Sequence, residues 1–470
     1  MTKSVPVICL LGSAMLGGCT VGPDYTAPKM DIPAGFKEAA DGWKPGTPQD
    51  MSERGPWWSV YQDPVLDGLE RQVEISNQTL KASEAAFRQA DAVVRAAQAG
   101  LWPSLDLNGS ETRAQTAASS SSGQRLTRTT YSAGLSASWD LDIWGKIRRT
   151  VESDTALAQA SADDLAAAKL SAQSTLAISY FQLRAADELK RLLDRSAEAY
   201  AQSLRIAQNQ YAAGFAGRAD VVQAQTQLRS TQAQAINAGL QRAQLEHAIA
   251  VLTGQAPATF HLDPADMPQA VPVTPVLVPS TLLERRPDIA GAERRVAAAN
   301  AQIGVAMAAF YPDLSLSAAL TYSGTAASGL FSAANRVWSL GPKLSQSLFD
   351  AGLREAQTDE ARAAWDKSTA TYRQTVLTAF QQVEDQLAAL DILQRQAAIQ
   401  SEAVQSAHEA ERLMLNQYRA GTVAYTNVVS VQTATLSNEQ TALTILQNRL
   451  VASVGLIQSL GGGWQVPSQP

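Results

Sequence analysis

Disulfide chemistry is the first thing this chain lacks the means for. Cysteine occurs twice, at Cys9 and Cys19. Cys9 lies in a segment that reads as a signal, so the mature chain keeps one cysteine and no internal bridge. Histidine occurs three times, as His247, His261 and His408, in different segments and without cysteine or carboxylate at ligand spacing. No metal site is expected. HExxH, GxSxG, a P-loop and GxGxxG are all missing, so neither a catalytic site nor a cofactor is expected. Charged residues make up 17% of the chain and the net charge is −6, with no basic patch, which argues against nucleic acid. No uninterrupted apolar run reaches 18 residues, so no helix is expected to span a bilayer. Aromatics are scarce at 6% and alanine is abundant, a composition that suits long, closely packed helices.

What is present begins with the N-terminus. Lys3, the apolar run 5–16 and Leu16-Gly17-Gly18-Cys19 read as a signal peptide over residues 1–18, and its ending resembles a bacterial lipobox. Cys19 would then carry the covalent lipid, with palmitate among its acyl groups. Thr20 stands where inner-membrane retention signals carry aspartate, so sorting to the outer membrane is expected. Residues 19–62 read as a lipidated, extended tether, rich in Pro, Gly, Asp and Lys, ended by Trp57 and Trp58. Those two tryptophans are expected to pin it onto helices.

Residues 131–141, YSAGLSASWDL, alternate with a strict period of two. Tyr131, Leu135 and Trp139 fall on one face; Ser136, Ser138 and Asp140 fall on the other. About ten residues, apolar on one side and polar on the other with aromatics near the ends, is the pattern of a membrane β-barrel strand. Three further stretches follow it. Leu105 and Leu107 oppose Asp106 and Asn108; Leu314, Leu316 and Leu320 oppose Ser315 and Ser317; Trp338, Leu340 and Leu344 oppose Ser339, Lys343 and Ser345. Pro342 fits only an edge strand or a bulge. Ser136, Ser138, Asp140, Ser317 and Lys343 are the expected lumen-facing residues. Four strands cannot close a barrel, and an open edge is forbidden in lipid, so several chains must share one. Two chains give eight strands and a filled cylinder; three give twelve and leave an opening, which small polar inner faces favour.

The chain also repeats itself. NQYAAGFAGRADVVQAQT at 209–226 returns as NQYRAGTVAYTNVVSVQT at 416–433, an offset of 416 − 209 = 207 residues. The two structural repeats cover residues 63–254 and 280–463, each reading helix, β-hairpin, very long helix, helix. A linker at 255–279 is too proline-rich to be helical, and 464–470 is a tail. Neither 146–213 nor 353–420 contains glycine or proline. A continuous helix of that length would reach roughly 100 Å. Gly214 and Gly421 read first as ordinary helix-ending glycines.

On these residues the chain resembles the TolC-type outer-membrane efflux proteins, in their lipoprotein branch. The resemblance is carried by Cys19–Tyr25 (CTVGPDY), Trp57-Trp58 with Asp63-Pro64, SWDLDIWGKIRR at 138–149, LLERRPDI at 282–289 and LFDAG at 348–352. It implies a mainly α fold with a small β part: a homotrimer with a shared twelve-strand barrel in outer-membrane lipid and a coiled-coil tunnel in the periplasm of a Gram-negative bacterium. Its partners would be a periplasmic adaptor and an inner-membrane RND-type transporter, and its function the exit duct of a tripartite pump. The alternative is a periplasm-spanning structural tether without a pore. The resemblance makes Tyr211, Gly214, Tyr418 and Gly421 the adaptor-docking tips. It matches Asp220 and Tyr418 to a hydrogen-bonded gate pair. The family's gate arginine falls on Val423 and two constriction aspartates on Asn427 and Ser430, so the salt bridge and acidic ring are missing there.

Overall fold

The computed structural model describes residues 20–33, 35–38, 56–115, 125–272 and 285–462. The signal peptide, Cys19, much of the expected tether, part of the linker and the tail lie outside the described residues. Asp63 caps α1 (Pro64–Ser76), its carboxylate accepting from Val65 N at 2.9 Å and Leu66 N at 3.2 Å, with Pro64 in the first turn. The sequence predicts one helix over 65–99. Instead the chain breaks at Asn77, where ψ is 121°. The Asn77 amide donates to Leu252 O at 2.8 Å, and its Oδ1 accepts from Leu80 N at 3.1 Å. One side chain thus ends α1 and caps α2 (Gln78–Ala99).

Four strands form one antiparallel sheet in the order β1 (Ser104–Gln115), β2 (Thr127–Asp140), β3 (Asp313–Gly324) and β4 (Arg336–Ser345). The β2–β3 pairing, Leu135 opposite Leu320, joins the two repeats. Pro342 lies opposite Leu316 in an unbulged register on β4, which is an edge of the sheet within one chain.

The long helices are α3 (Lys146–Ala212) and α6 (Leu353–Arg419), 67 residues each. Both start on an aspartate: Asp142 accepts from Ile147 N and Arg148 N at 2.9 Å, and Asp350 accepts from Gly352 N at 3.1 Å. Helices α4 (Arg218–Leu252) and α7 (Tyr425–Ser459), 35 residues each, follow them. Helix α5 (Pro287–Ala308) opens the second repeat with Pro287 first and Asp288 in its first turn, as the sequence predicts.

The repeat is a unit of sequence, not of packing. One compact unit comprises the described part of Met1–Lys29 with Ala85–Ala162 and Gly291–Arg373; the other comprises that of Met30–Glu84 with Asp163–Ala290 and the segment after Gln374. In the first unit the start of the expected tether is strapped down. Val21 N donates to Trp144 O at 3.1 Å, Asn300 Nδ2 to Pro23 O at 2.9 Å, and Tyr25 bonds Glu293. The buried Arg149 donates to Val21 O and Gly22 O and pairs with Asp24 at 3.0 Å. A Cβ on Gly304 would lie 2.8 Å from Val21 O, so only glycine allows so close an approach. In the second unit Trp57 and Trp58 are buried in the main core with Leu66, Val73, Phe181 and Ile249.

That core also takes in an ionisable group. Glu70 of α1 is fully buried and, among the described residues, neither carboxylate oxygen has a hydrogen-bond partner. Burial, then Glu74 and Asp67, push its pKa up to about 9. A raised acid binds its proton more tightly folded than unfolded, so its penalty is absent below about pH 4 and grows as pH rises toward 9. Glu70→Gln is therefore expected to raise stability at pH 7 by at most about 3 kcal/mol, with the gain vanishing near pH 4. Urea unfolding of the two proteins across that pH range checks both the sign and the window.

Candidate functional site

The sheet of the first unit buries neither face in the isolated chain: β1 is exposed along its whole length and β4 almost so. Register sorts its side chains. Asp106, Ser136, Ala319 and Ser339 form one cross-strand row; Ser104, Ser138, Ser317 and Gly341 form the next; Asp140, Ser315 and Lys343 continue it. All five residues singled out as lumen-facing thus share one face. Polar contacts run across it: Asn108 Nδ2 donates to Ser136 Oγ at 2.8 Å, and Ser110 and Ser132 hydroxyls meet at 2.8 Å.

The opposite face is apolar and open. Leu107, Leu135, Leu320 and Trp338 form one row, with Leu105, Ala137, Ala318 and Leu340 beside it, and all the large side chains among them are exposed. A soluble sheet would bury such a face under helices. Tyr131 and Trp139 stand eight residues apart on it, about 26 Å along the strand and close to the height of a barrel's apolar band. Below it Trp144 stacks on Tyr311 at 4.7 Å and donates to Pro312 O at 2.9 Å, tying the hairpin roots together.

The tips of the second unit have the same backbone twice. Gly214 has φ +77° and donates to Tyr211 O, while Phe215 N donates to Gln210 O at 2.9 Å. Gly421 has φ +74° and donates to Tyr418 O, while Thr422 N donates to Gln417 O at 3.0 Å. These are helix-ending turns of the Schellman type, which need a left-handed residue. Gln210 Nε2 also donates to Tyr418 O at 3.2 Å, linking one tip to the other. The side chains diverge. Tyr211 is 49% exposed and Tyr418 only 3%. Tyr418 packs with Ala207, Ala224, Tyr425 and Val428, its ring 5.1 Å from that of Tyr425.

The gate pair that the resemblance implies is not hydrogen-bonded within this chain. Among the described residues the Tyr418 hydroxyl has no hydrogen-bond partner; burial, and secondarily the charge of Asp220, raise its pKa, but Asp220 does not accept from it. The phenol is committed to the helix cluster instead. Asp220 is half-buried and Asn427 and Ser430 are exposed. Phe215, 87% exposed, was missed by sequence reasoning; its signal was a lone aromatic between Gly214 and Gly217. Two of the three histidines, His261 and His408, meet carboxylates. His261 Nδ1 lies 3.1 Å from Glu246 and its Nε2 3.4 Å from Asp263, and His408 meets Glu439 at 3.2 Å. Among the described residues no three such groups converge on a metal site.

Comparison with known proteins gives a consistent picture. A family model described as outer membrane efflux protein matches residues 69–255 and 278–462. The pyoverdine export outer membrane protein OpmQ of Pseudomonas aeruginosa is 33% identical over 98% of this chain and 96% of its own. The solvent efflux pump outer membrane protein SrpC of Pseudomonas putida is 30% identical over 99% of each. Among solved structures, the outer-membrane channel OprN superposes with a TM-score of 0.86 at 30% identity, covering 95% of this chain and 100% of that one.

Proposed function

From the premise that this chain belongs to the outer membrane efflux protein family, we propose how its own residues build the channel. The protein is an outer-membrane component of a Gram-negative efflux pump and acts as its exit duct. Three copies share one twelve-strand barrel, β4 of each pairing with β1 of the next. The supporting observation is that, among the described residues, the chain forms a four-stranded sheet with two unpaired edges, one polar face and one exposed apolar face. Lipid forbids the open edges, and twelve strands leave a lumen where eight are mostly filled. Ser136, Ser138, Asp140, Ser317 and Lys343 line that lumen. Sedimentation of the detergent-purified protein is expected to give one trimeric mass; a monodisperse monomer would sink the shared barrel.

Two further features belong to this reading. The tips at Gly214 and Gly421 dock a periplasmic adaptor, which connects the duct to an inner-membrane transporter, with Tyr211 and Phe215 as the exposed rings offered to it. A side chain at either glycine strains a left-handed residue by roughly 1–2 kcal/mol and reshapes the turn. Gly214→Val is therefore expected to reduce adaptor crosslinking severalfold while leaving the trimer intact, and unchanged crosslinking would place docking elsewhere. Cys19 carries the lipid, close in sequence to the Val21–Asp24 strap held by Arg149. Labelled palmitate is expected to enter the wild type and not Cys19→Ala. Cargo is not assigned from relatives whose names specify pyoverdine and solvent, because a passive duct need not read it.

A further inference from the structure

We infer that the outer rim of the barrel binds the phosphorylated glycolipid of the outer leaflet, with Arg113 and Arg336 on its lipid-facing side as the phosphate ligands. The inference rests on the barrel reading above and assigns what its outermost lipid-facing bases hold.

Charge along the sheet is sorted by end. Toward the helices, residues 104–110, 132–140, 313–321 and 339–345 carry Asp106, Asp140 and Asp313 with a single base, Lys343. Toward the hairpin connections, residues 111–131 and 322–338 carry Arg113, Arg125, Arg128 and Arg336 with a single acid, Glu111. The helices run into the periplasm on the reading above, so the basic, hairpin end is the outer one. Register then separates the bases by face. Arg113 lies opposite Thr129 and Arg336 opposite Tyr322, on the apolar side with Leu135 and Leu320; Arg128 lies opposite Ala114, on the polar side with Ser136.

Aromatic residues on that side fix how high the two arginines stand. Tyr131 of β2, Tyr322 of β3 and Trp338 of β4 occupy three successive rows of the register, each two residues nearer the helices than the one before. Tilted strands give such a diagonal when aromatic rings follow a level membrane surface. Carried one strand back, the line meets β1 at Arg113, the partner of Thr129. On β4, Arg336 lies one same-face position outside Trp338. Both guanidinium groups therefore stand at the outer edge of the apolar band, where a lipid-facing charge costs little. Both are exposed, and among the described residues neither forms an ion pair. Phe331, 70% exposed, packs edge-on to Tyr322 with ring centres 5.4 Å apart, which lays the β3–β4 connection on the same face beside Arg336.

The occupant follows from the charge. The outer leaflet of a Gram-negative outer membrane is built of lipid A, whose sugar head carries phosphates, and a guanidinium group binds phosphate oxygens in pairs. At the other end of the sheet no base faces lipid, since Lys343 shares the polar side with Asp140. Arg113 and Arg336 also lie on the edge strands β1 and β4, so each joint of the shared barrel is flanked by a base from either copy.

Lipid binding by the full-length protein in detergent at low ionic strength tests this, with lipid A, phosphate-free lipid A and phosphatidylglycerol as probes. The wild type is expected to hold lipid A roughly 30-fold more tightly than the phosphate-free form, and more tightly than phosphatidylglycerol. Arg113→Gln with Arg336→Gln is expected to lose that roughly 30-fold preference, whereas polar-side Arg128→Gln keeps it. Each single glutamine variant is expected to lose about fivefold, and these carry the test if the pair does not assemble. Unchanged lipid A affinity in the variants, or an equal loss in Arg128→Gln, would overturn the site. Phosphatidylglycerol held as tightly as lipid A would overturn the glycolipid as its occupant. In each case a trimeric mass leaves the barrel reading standing; a monodisperse monomer would overturn both.

Discussion

Tyr418→Ala is expected to destabilise the helix tips by about 3–5 kcal/mol and to raise resting conductance, while Tyr418→Phe changes neither by much. The phenol ring fills a buried cluster contributed by α3, α4, α6 and α7, so truncation leaves a cavity that those helices cannot readily collapse onto. The hydroxyl contributes nothing comparable, because among the described residues it has no partner to lose. Phenylalanine keeps the ring and removes a buried unpaired group. The mouth is on this account held by packing, with Gln210 Nε2 to Tyr418 O as its cross-tip hydrogen bond. Native-state hydrogen exchange at 204–225 and 414–430 reads the loosening, and bilayer recording reads the leak. A large leak in the phenylalanine variant would restore the hydroxyl, and with it Asp220, to the gate.

The second large effect is a contrast between adjacent residues. Leu135→Arg is expected to cost about 2–4 kcal/mol per chain near the bilayer midplane and to strip the protein from the outer membrane. Ser136→Arg, one residue on and facing the polar side with Asp106 and Asn108, is expected to assemble normally and to shift the channel toward anion preference. Heat-modifiable trimer bands report assembly, and reversal potentials report selectivity. If both arginines assemble equally well, the apolar face does not meet lipid.

How much of this was legible in the sequence follows from how local each cause is. The strands were legible because alternation is set residue by residue, and even Pro342 announced an edge. The tips were legible because a left-handed turn calls for glycine at Gly214 and Gly421. The break at Asn77 was not, since Leu66, Leu69, Val73 and Leu80 carry helical periodicity straight across it and the deciding acceptor, Leu252 O, is 175 residues away. The strap on Val21–Tyr25 was hidden for the same reason: its anchors, Arg149, Glu293 and Asn300, are remote in sequence. Tyr211 and Tyr418 mark the limit most clearly. They occupy matching positions in matching turns, yet one is exposed and the other buried, because burial there is decided by which helices surround the turn.

Single-channel recording of the detergent-purified protein in planar bilayers tests the central claim most directly. The account requires discrete insertion steps of uniform, large conductance, each from one trimer. Stable insertion of a trimer that never conducts would contradict it, and would leave a periplasm-spanning tether as the function of these helices.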